Sequence, residues 1–166
     1  MKNSDIITFA KAGFQLNLNG IHGLAHWSRV RAIGLEIASH YPEVDSRVVE
    51  LFALLHDHRR WDDGHDPDHG QRAADSVEAL GREALNISEL QFAKLRAAMI
   101  GHTGTLFSHD KTIACCWDAD RLDLWRCGTI PDPKYLNLEI SKKLIEKGIK
   151  RSEHWRQKRY IIPLMN

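Results

Sequence analysis

The chain has no apolar run approaching the roughly 18 residues that a membrane span needs. Its opening stretch, MKNSDIITFAKAGF, is interrupted by Asp5 and Lys11, so no export signal is expected. An excess of one charge is also lacking: 23 basic residues face 22 acidic ones. That balance excludes a global field drawing the protein to nucleic acid or to a membrane, and leaves a small molecule as the expected partner. Cysteine is scarce. The three present, Cys115, Cys116 and Cys127, are odd in number, lack CxxC spacing and include an adjacent pair. This argues against a disulfide framework and for reduced thiols in a cytoplasmic protein. No convincing period-two alternation, internal repeat, low-complexity segment or glycine-rich phosphate loop is found.

At 166 residues, 43% hydrophobic and 27% charged, the chain has enough apolar side chains to build the core of one domain spanning 1–166. Helical periodicity runs through nearly every segment, so the expected fold is all-α, a single compact domain of about six to seven helices. Ile7, Ala10, Phe14 and Leu18 mark a first helix; His26, Val30, Ile33 and Ile37 mark a second that stops before Pro42. Asp45 is placed to cap a third carrying Val48 to Leu55. The charged stretch from His58 to Asp68, with Gly64 and Pro67, predicts a loop. Further helices are expected from His69 to Leu80, from a cap at Ser88 to His102, and from Asp110 to Trp125. After a turn at PDPKY, a final helix carries Leu136, Ile140 and Leu144, and the basic end KRSEHWRQKRY reads as a solvated helix face.

The stretch ALLHDHRRW breaks that apolar pattern: a run suited to a core, Val48 through Leu55, ends on His56 and Asp57. Burying an ionisable pair costs several kcal/mol unless a partner compensates, which is about the whole margin of a small domain. Four other polar residues continue buried stripes in the same way. His26 shares a face with Val30 and Ile33, His69 with Ala73 and Val77, His102 with Leu95 and Met99, and Asp120 with Ile113, Cys116 and Trp117. One such residue reads as a satisfied core group; several together point to a shared metal ion, which offers imidazole and carboxylate a common partner. His58, His65, His109 and His154 lie in polar surroundings and His40 at a helix end, so surface positions are expected for them.

His26, the doublet His56-Asp57 and Asp120 within DADRLDL resemble the H…HD…D pattern of the HD-domain superfamily, helical metal-dependent phosphohydrolases. HGLAHWSRV, FALLHDHRRW, DPDHGQRAA and CCWDADRLDL together are similar to a group of small bacterial HD proteins, over a core of about 20–133. The resemblance implies a helical domain around a central metal site. It also implies that Asp120 rather than Asp118 is a ligand, with Asp118 supporting the site or capping a helix. Some members bind one ion through four ligands, and others add two histidines and bind two ions; His69 and His102 stand in that interval. No GYP follows the doublet. Imidazole and carboxylate without thiolate suit one or two divalent ions among Mn, Fe, Co, Ni and Mg better than a structural zinc.

The chemistry implied is hydrolysis of a small phosphorylated metabolite, a nucleotide first among the candidates, by a metal-activated water that Asp57 orients. Arg29, Arg59, Arg60 and Arg72 are candidate phosphate clamps, each with a surface ion pair as its alternative. His22, one turn before His26, reads as a proton donor or phosphate contact at the pocket mouth, as half of an HxxxH metal pair, or as a structural residue. Arg121 and Asp123 read as a structural ion pair or as support for Asp120. Two other functions remain open. One is a diiron oxygenase of the same superfamily, and the other is a sensor that binds metal or nucleotide without turnover.

Overall fold

The computed structural model describes residues 1–147; KRSEHWRQKRY and His154 lie outside the described residues. Within them the chain is all-helical: α1 Asn3–Gly13, α2 Leu24–Ala38, α3 Ser46–Leu55, α4 His69–Leu80, α5 Arg82–Leu85, α6 Glu89–Gly101 and α7 Lys111–Arg121. A further helix, α8, covers 139–147. Helix α3 sits at the centre, packed against α1, α2, α6 and α7, while α4 lies along α6. Its residues Val48, Val49 and Leu51 to Leu55 are all buried, which is why the sequence there is apolar on every side.

The caps explain most boundaries. The Asp45 carboxylate accepts from the Arg47 and Val48 amides, Asp110 from Thr112 and Ile113, and Ser88 forms a capping box with Gln91. Three boundaries differ from the sequence expectation. Helix α1 ends at Gly13, short of Phe14 and Leu18, because Asn17 and Gly20 fold the next residues into a turn. Helix α7 ends at Arg121, and the chain tightens into a 3-10 turn over Leu124–Cys127. Helix α8 starts after Leu136, since Pro133–Tyr135 form a second 3-10 turn. The buried Asp118 holds the entry to α8 by accepting from the backbone amides of Asn137 and Leu138.

Helix α4 approaches α6 at Gly70. A Cβ there would meet the Met99 carbonyl oxygen at 2.2 Å, so only glycine allows the contact that sets His69 beside His102. On the other flank, Trp117 of α7 donates its indole N–H to Ala98 O of α6 at 2.8 Å. No helix among the described residues is long and apolar enough to cross a membrane.

Candidate metal centre

The apolar core closes around a polar centre. His26 comes from α2, His56 and Asp57 from the C-terminal end of α3, His69 from the start of α4, His102 from the end of α6 and Asp120 from the last turn of α7. Five of the six are buried, and Asp120 is partly so. His26 Nε2 lies 3.0 Å from His56 Nε2, 3.4 Å from Asp57 Oδ2 and 3.3 Å from Asp120 Oδ1. The other oxygen of Asp57 faces a second group: Oδ1 is 3.0 Å from His69 Nε2 and 3.8 Å from His102 Nε2, and those two nitrogens are 2.8 Å apart. Ligands held about 2.1 Å from one ion at right-angled or tetrahedral positions stand about 3.0 to 3.4 Å apart, close to these spacings. His26, His56 and Asp57 could thus hold one ion with Asp120, and Asp57, His69 and His102 another.

The far side of each imidazole decides what the near side can do. His26 Nδ1 meets the Asp123 carboxylate at 2.7 Å, His56 Nδ1 the Phe52 carbonyl at 3.1 Å and His102 Nδ1 the Met99 carbonyl at 2.7 Å; His69 Nδ1 meets the Asp66 carbonyl. Carbonyl and carboxylate oxygens only accept, so each Nδ1 carries the hydrogen and each neutral ring turns the Nε2 lone pair inward. Two lone pairs 2.8 or 3.0 Å apart repel unless a proton or a cation lies between them. The surroundings favour that positive charge. Burial and Arg126 push the His26 imidazole down, yet Asp120, Asp123 and Asp57 outweigh them and raise its pKa to about 9. Burial pushes the Asp57 carboxyl up, but the charge of His56 and the close approach of the His102, His26 and His56 rings hold it well below the usual carboxylate range. Asp120 is likewise held ionised, burial being overcome by the His26 hydrogen bond and the charges of His56 and Arg126.

A cleft of about 500 Å³ opens from this centre, lined among others by His22, Asp57, Arg60, Asp63, His65 and Arg126. His22 stands outside the donor groups, so the HxxxH pair is not assembled. Its Nδ1–H donates to Asp63 at 2.7 Å, and burial holds its pKa below the ordinary imidazole value despite that carboxylate. His22 is therefore mainly neutral at pH 7, with the hydrogen on Nδ1. Arg60 lines the cleft, with Nη1 3.1 Å from His69 Nε2 and 3.7 Å from Asp57 Oδ1.

Two expected clamps are engaged elsewhere. Arg29 grips Asp123 with Nε at 2.7 Å and Nη2 at 2.9 Å, steadying the carboxylate that orients His26. Arg72 donates to both oxygens of Asp66 and to Arg59 O, with Trp61 stacked on its guanidinium, and neither it nor Arg29 lines the cleft. Arg59 binds the Ser76 hydroxyl. Arg121 is not paired with Asp123; it donates to the carbonyls of Thr105, Leu106 and Tyr135. Asp118 stays out of the donor groups and pins α8. His40, His65 and His109 are exposed, as expected. His58 is not: it is fully buried, with Nδ1 donating to Leu55 O and Nε2 beside the Ser76 hydroxyl, and burial lowers its pKa to about 4. The charged neighbours in HDHRRW hid this, because α1 packs over the loop and its Phe9 ring covers His58.

Arg126 was not singled out by its sequence, since the expected helix to Trp125 gave it no role. The 3-10 turn after Asp123 brings it into the cleft wall. Comparison of the chain with family models, with curated proteins and with solved structures finds no match, so the residues themselves carry the functional argument.

Proposed function

We propose that the protein is a metal-dependent phosphohydrolase of HD type, acting on a small phosphorylated metabolite in the cleft above Asp57. The observation that carries this reading is the inward set of four imidazole Nε2 atoms around one two-faced carboxylate, every outer Nδ1 being fixed by an acceptor. His26, His56, Asp57 and Asp120 would hold one divalent ion, and His69 and His102 would hold a second that shares Asp57. Such an ion would supply Lewis acidity, lowering the pKa of a bound water towards about 7 and offsetting charge on a phosphoryl oxygen.

The chain's own groups do the rest. Asp57, ionised and fixed from both sides, accepts a hydrogen bond from the attacking water and so aims it. His22, mainly neutral and held by Asp63, takes up a proton at the cleft mouth through Nε2. Arg60 offers Nη1 towards the cleft while its other nitrogens bind the carbonyls of Asp62 and Gly64, so its head is pre-positioned for an anion. A cleft of about 500 Å³ fits a small ligand rather than a polymer.

Phosphate release from a panel of phosphorylated metabolites, nucleotides included, tests the reading under Mn2+ or Mg2+ with air excluded. Oxygen-independent release that Asp57→Ala abolishes is the expected result. The same six-donor set would also serve a diiron oxygenase. Turnover confined to iron and air, with every phosphoester intact, overturns hydrolysis in favour of that chemistry.

A further inference from the structure

Among the described residues lining the cleft, Arg126 is the one arginine buried without hydrogen-bond partners. Arg60 and Arg121 have theirs in backbone carbonyls. The Arg126 side chain is nine-tenths buried, and its Nε and Nη1 have no hydrogen-bond acceptor. Asp120 Oδ1 and Asp123 Oδ2 each lie 3.9 Å from Nη1, close enough for charge attraction and too far for a hydrogen bond. Buried polar atoms without partners are rare in folded proteins, because each forfeits its hydration for nothing in return. An arginine kept in this state has donors reserved for something the protein does not itself supply.

The charge balance says what that is. Three carboxylates, Asp57, Asp120 and Asp123, meet three guanidiniums, those of Arg29, Arg60 and Arg126, so the centre carries no net charge once the His26 proton has been displaced. Any divalent ion bound there leaves a positive surplus facing the cleft. The same ion draws on Asp120, while Asp123 is already committed to His26 and Arg29, so Arg126 loses the little compensation it has. A guanidinium with vacant donors and a positive surplus around it suits an oxyanion.

We infer that Arg126 is the anchor for the substrate's phosphoryl group, gripping it from the wall of the cleft that Arg60 also lines. This makes the substrate class a terminal phosphate ester, whose phosphoryl group keeps free oxygens for the guanidinium after one faces the metal centre. The inference rests on the phosphohydrolase reading for its choice of phosphate.

Inorganic phosphate is the probe. Calorimetry on the Mn2+-supplemented protein compares wild type with Arg126→Met and Arg126→Lys. Phosphate binding weakens about tenfold to a hundredfold in Arg126→Met, and Arg126→Lys recovers only part of it because a compact ammonium replaces the planar guanidinium and its spread of donors. Metal content stays unchanged in both. Should either variant fail to fold, the wild type still decides: its Arg126 Nε–H resonance, followed by NMR with Mg2+, shifts and sharpens on phosphate addition. Wild-type phosphate affinity retained in Arg126→Met, no phosphate binding at all, or an Nε–H signal indifferent to phosphate overturns the anchor. The two readings fail separately. Arg126-dependent phosphate binding in a protein that cleaves no phosphoester keeps the anchor and rejects hydrolysis. Hydrolysis that survives Arg126→Met with an unchanged Michaelis constant rejects the anchor alone.

Discussion

Raising the pH of the metal-free protein from 7 to 8.5 should tighten its binding of a divalent ion, because the ion and a proton compete for His26. The imidazole holds its proton up to about pH 9, against burial, through Asp120, Asp123 and Asp57. The Nε2 atom that carries this proton lies 3.0 Å from His56 Nε2 and 3.3 Å from Asp120 Oδ1, so an ion joining those groups must expel it. At pH 7, two units below that value, expulsion costs about 2.7 kcal/mol, roughly a hundredfold in apparent affinity. The dissociation constant for Mn2+ should therefore fall about tenfold per pH unit, with about one proton released per ion. Titration calorimetry in two buffers of different ionisation enthalpy measures both quantities. Stability supplies an independent check. A raised folded-state pKa contributes stability that is complete below the unfolded value of about 6.5 and is lost as pH climbs through about 9. The metal-free protein should lose about 3 kcal/mol over that window, while the metal-loaded protein should not. Affinity flat between pH 7 and 8.5, with no proton released, would refute the assignment of His26 as a ligand.

Asp123→Asn keeps the shape of the His26 partner but removes its charge and half of the Arg29 grip; metal affinity should drop about 10- to 100-fold, measured by competition with a chromophoric chelator. Loss of metal affinity no greater than that of an exposed control such as Asp68→Asn would show that Asp123 does not support the site. Elemental analysis should find the ions entering in sequence, because Arg60 Nη1 already sits 3.1 Å from His69 Nε2 and must yield to a second cation. Arg60→Ala should accordingly reach two ions per chain at lower Mn2+, His69→Ala should stop near one, and a count of one in every variant would leave a single-ion site. His58 acts in the opposite pH direction to His26: its folded-state pKa of about 4 lies below the unfolded value, so stability present above about pH 6.5 is lost as pH falls towards 4. The loss should total about 3 kcal/mol, and an acid unfolding curve shared by wild type and a folded His58→Gln variant would contradict it.

Much of this was legible from residue order alone. A carboxylate cap three residues ahead of an apolar run fixed the start of α3, and the break in apolar periodicity at His56 and Asp57 marked where the polar centre lies. All six proposed donors sit on or beside the predicted helices, because a helix face is a local property that four-residue spacing reveals. What stayed hidden depended on where α7 stops. Extended to Trp125, the helix would set Asp123 and Arg126 by 3.6-residue geometry. Ended at Arg121, it turns Asp123 onto His26 and Arg126 into the cleft. The choice between a helix and a 3-10 turn for the same residues rests on tertiary contacts, among them the three carbonyls that hold Arg121. His58 and Arg29 escaped for a similar reason: partners far along the chain, Ser76 for His58 and Asp123 for Arg29, leave no trace in local spacing.

The pairing of Arg29 with Asp123 also bears on why the fold tolerates so much buried charge. A buried ion pair rarely stabilises a protein over an apolar replacement, and this centre has several, beside two imidazole pairs whose lone pairs oppose each other. Nothing in the packing requires them, since α3 alone would bury seven apolar residues without its final doublet. The stability surrendered there must be recovered by whatever positive charge enters, a proton on His26 or a metal ion among the donors. Asp57 couples the two halves, because one of its oxygens serves each histidine pair. Asp57→Asn tests that coupling in the metal-free protein, before any catalysis. Without the carboxylate charge the His26 proton loses one of its three supports, so the fall in stability that sets in above about pH 6.5 should end at lower pH than in wild type and be smaller in total. Thermal melts across that range measure it, and a profile superimposable on wild type would mean that Asp57 does not help hold the centre's charge.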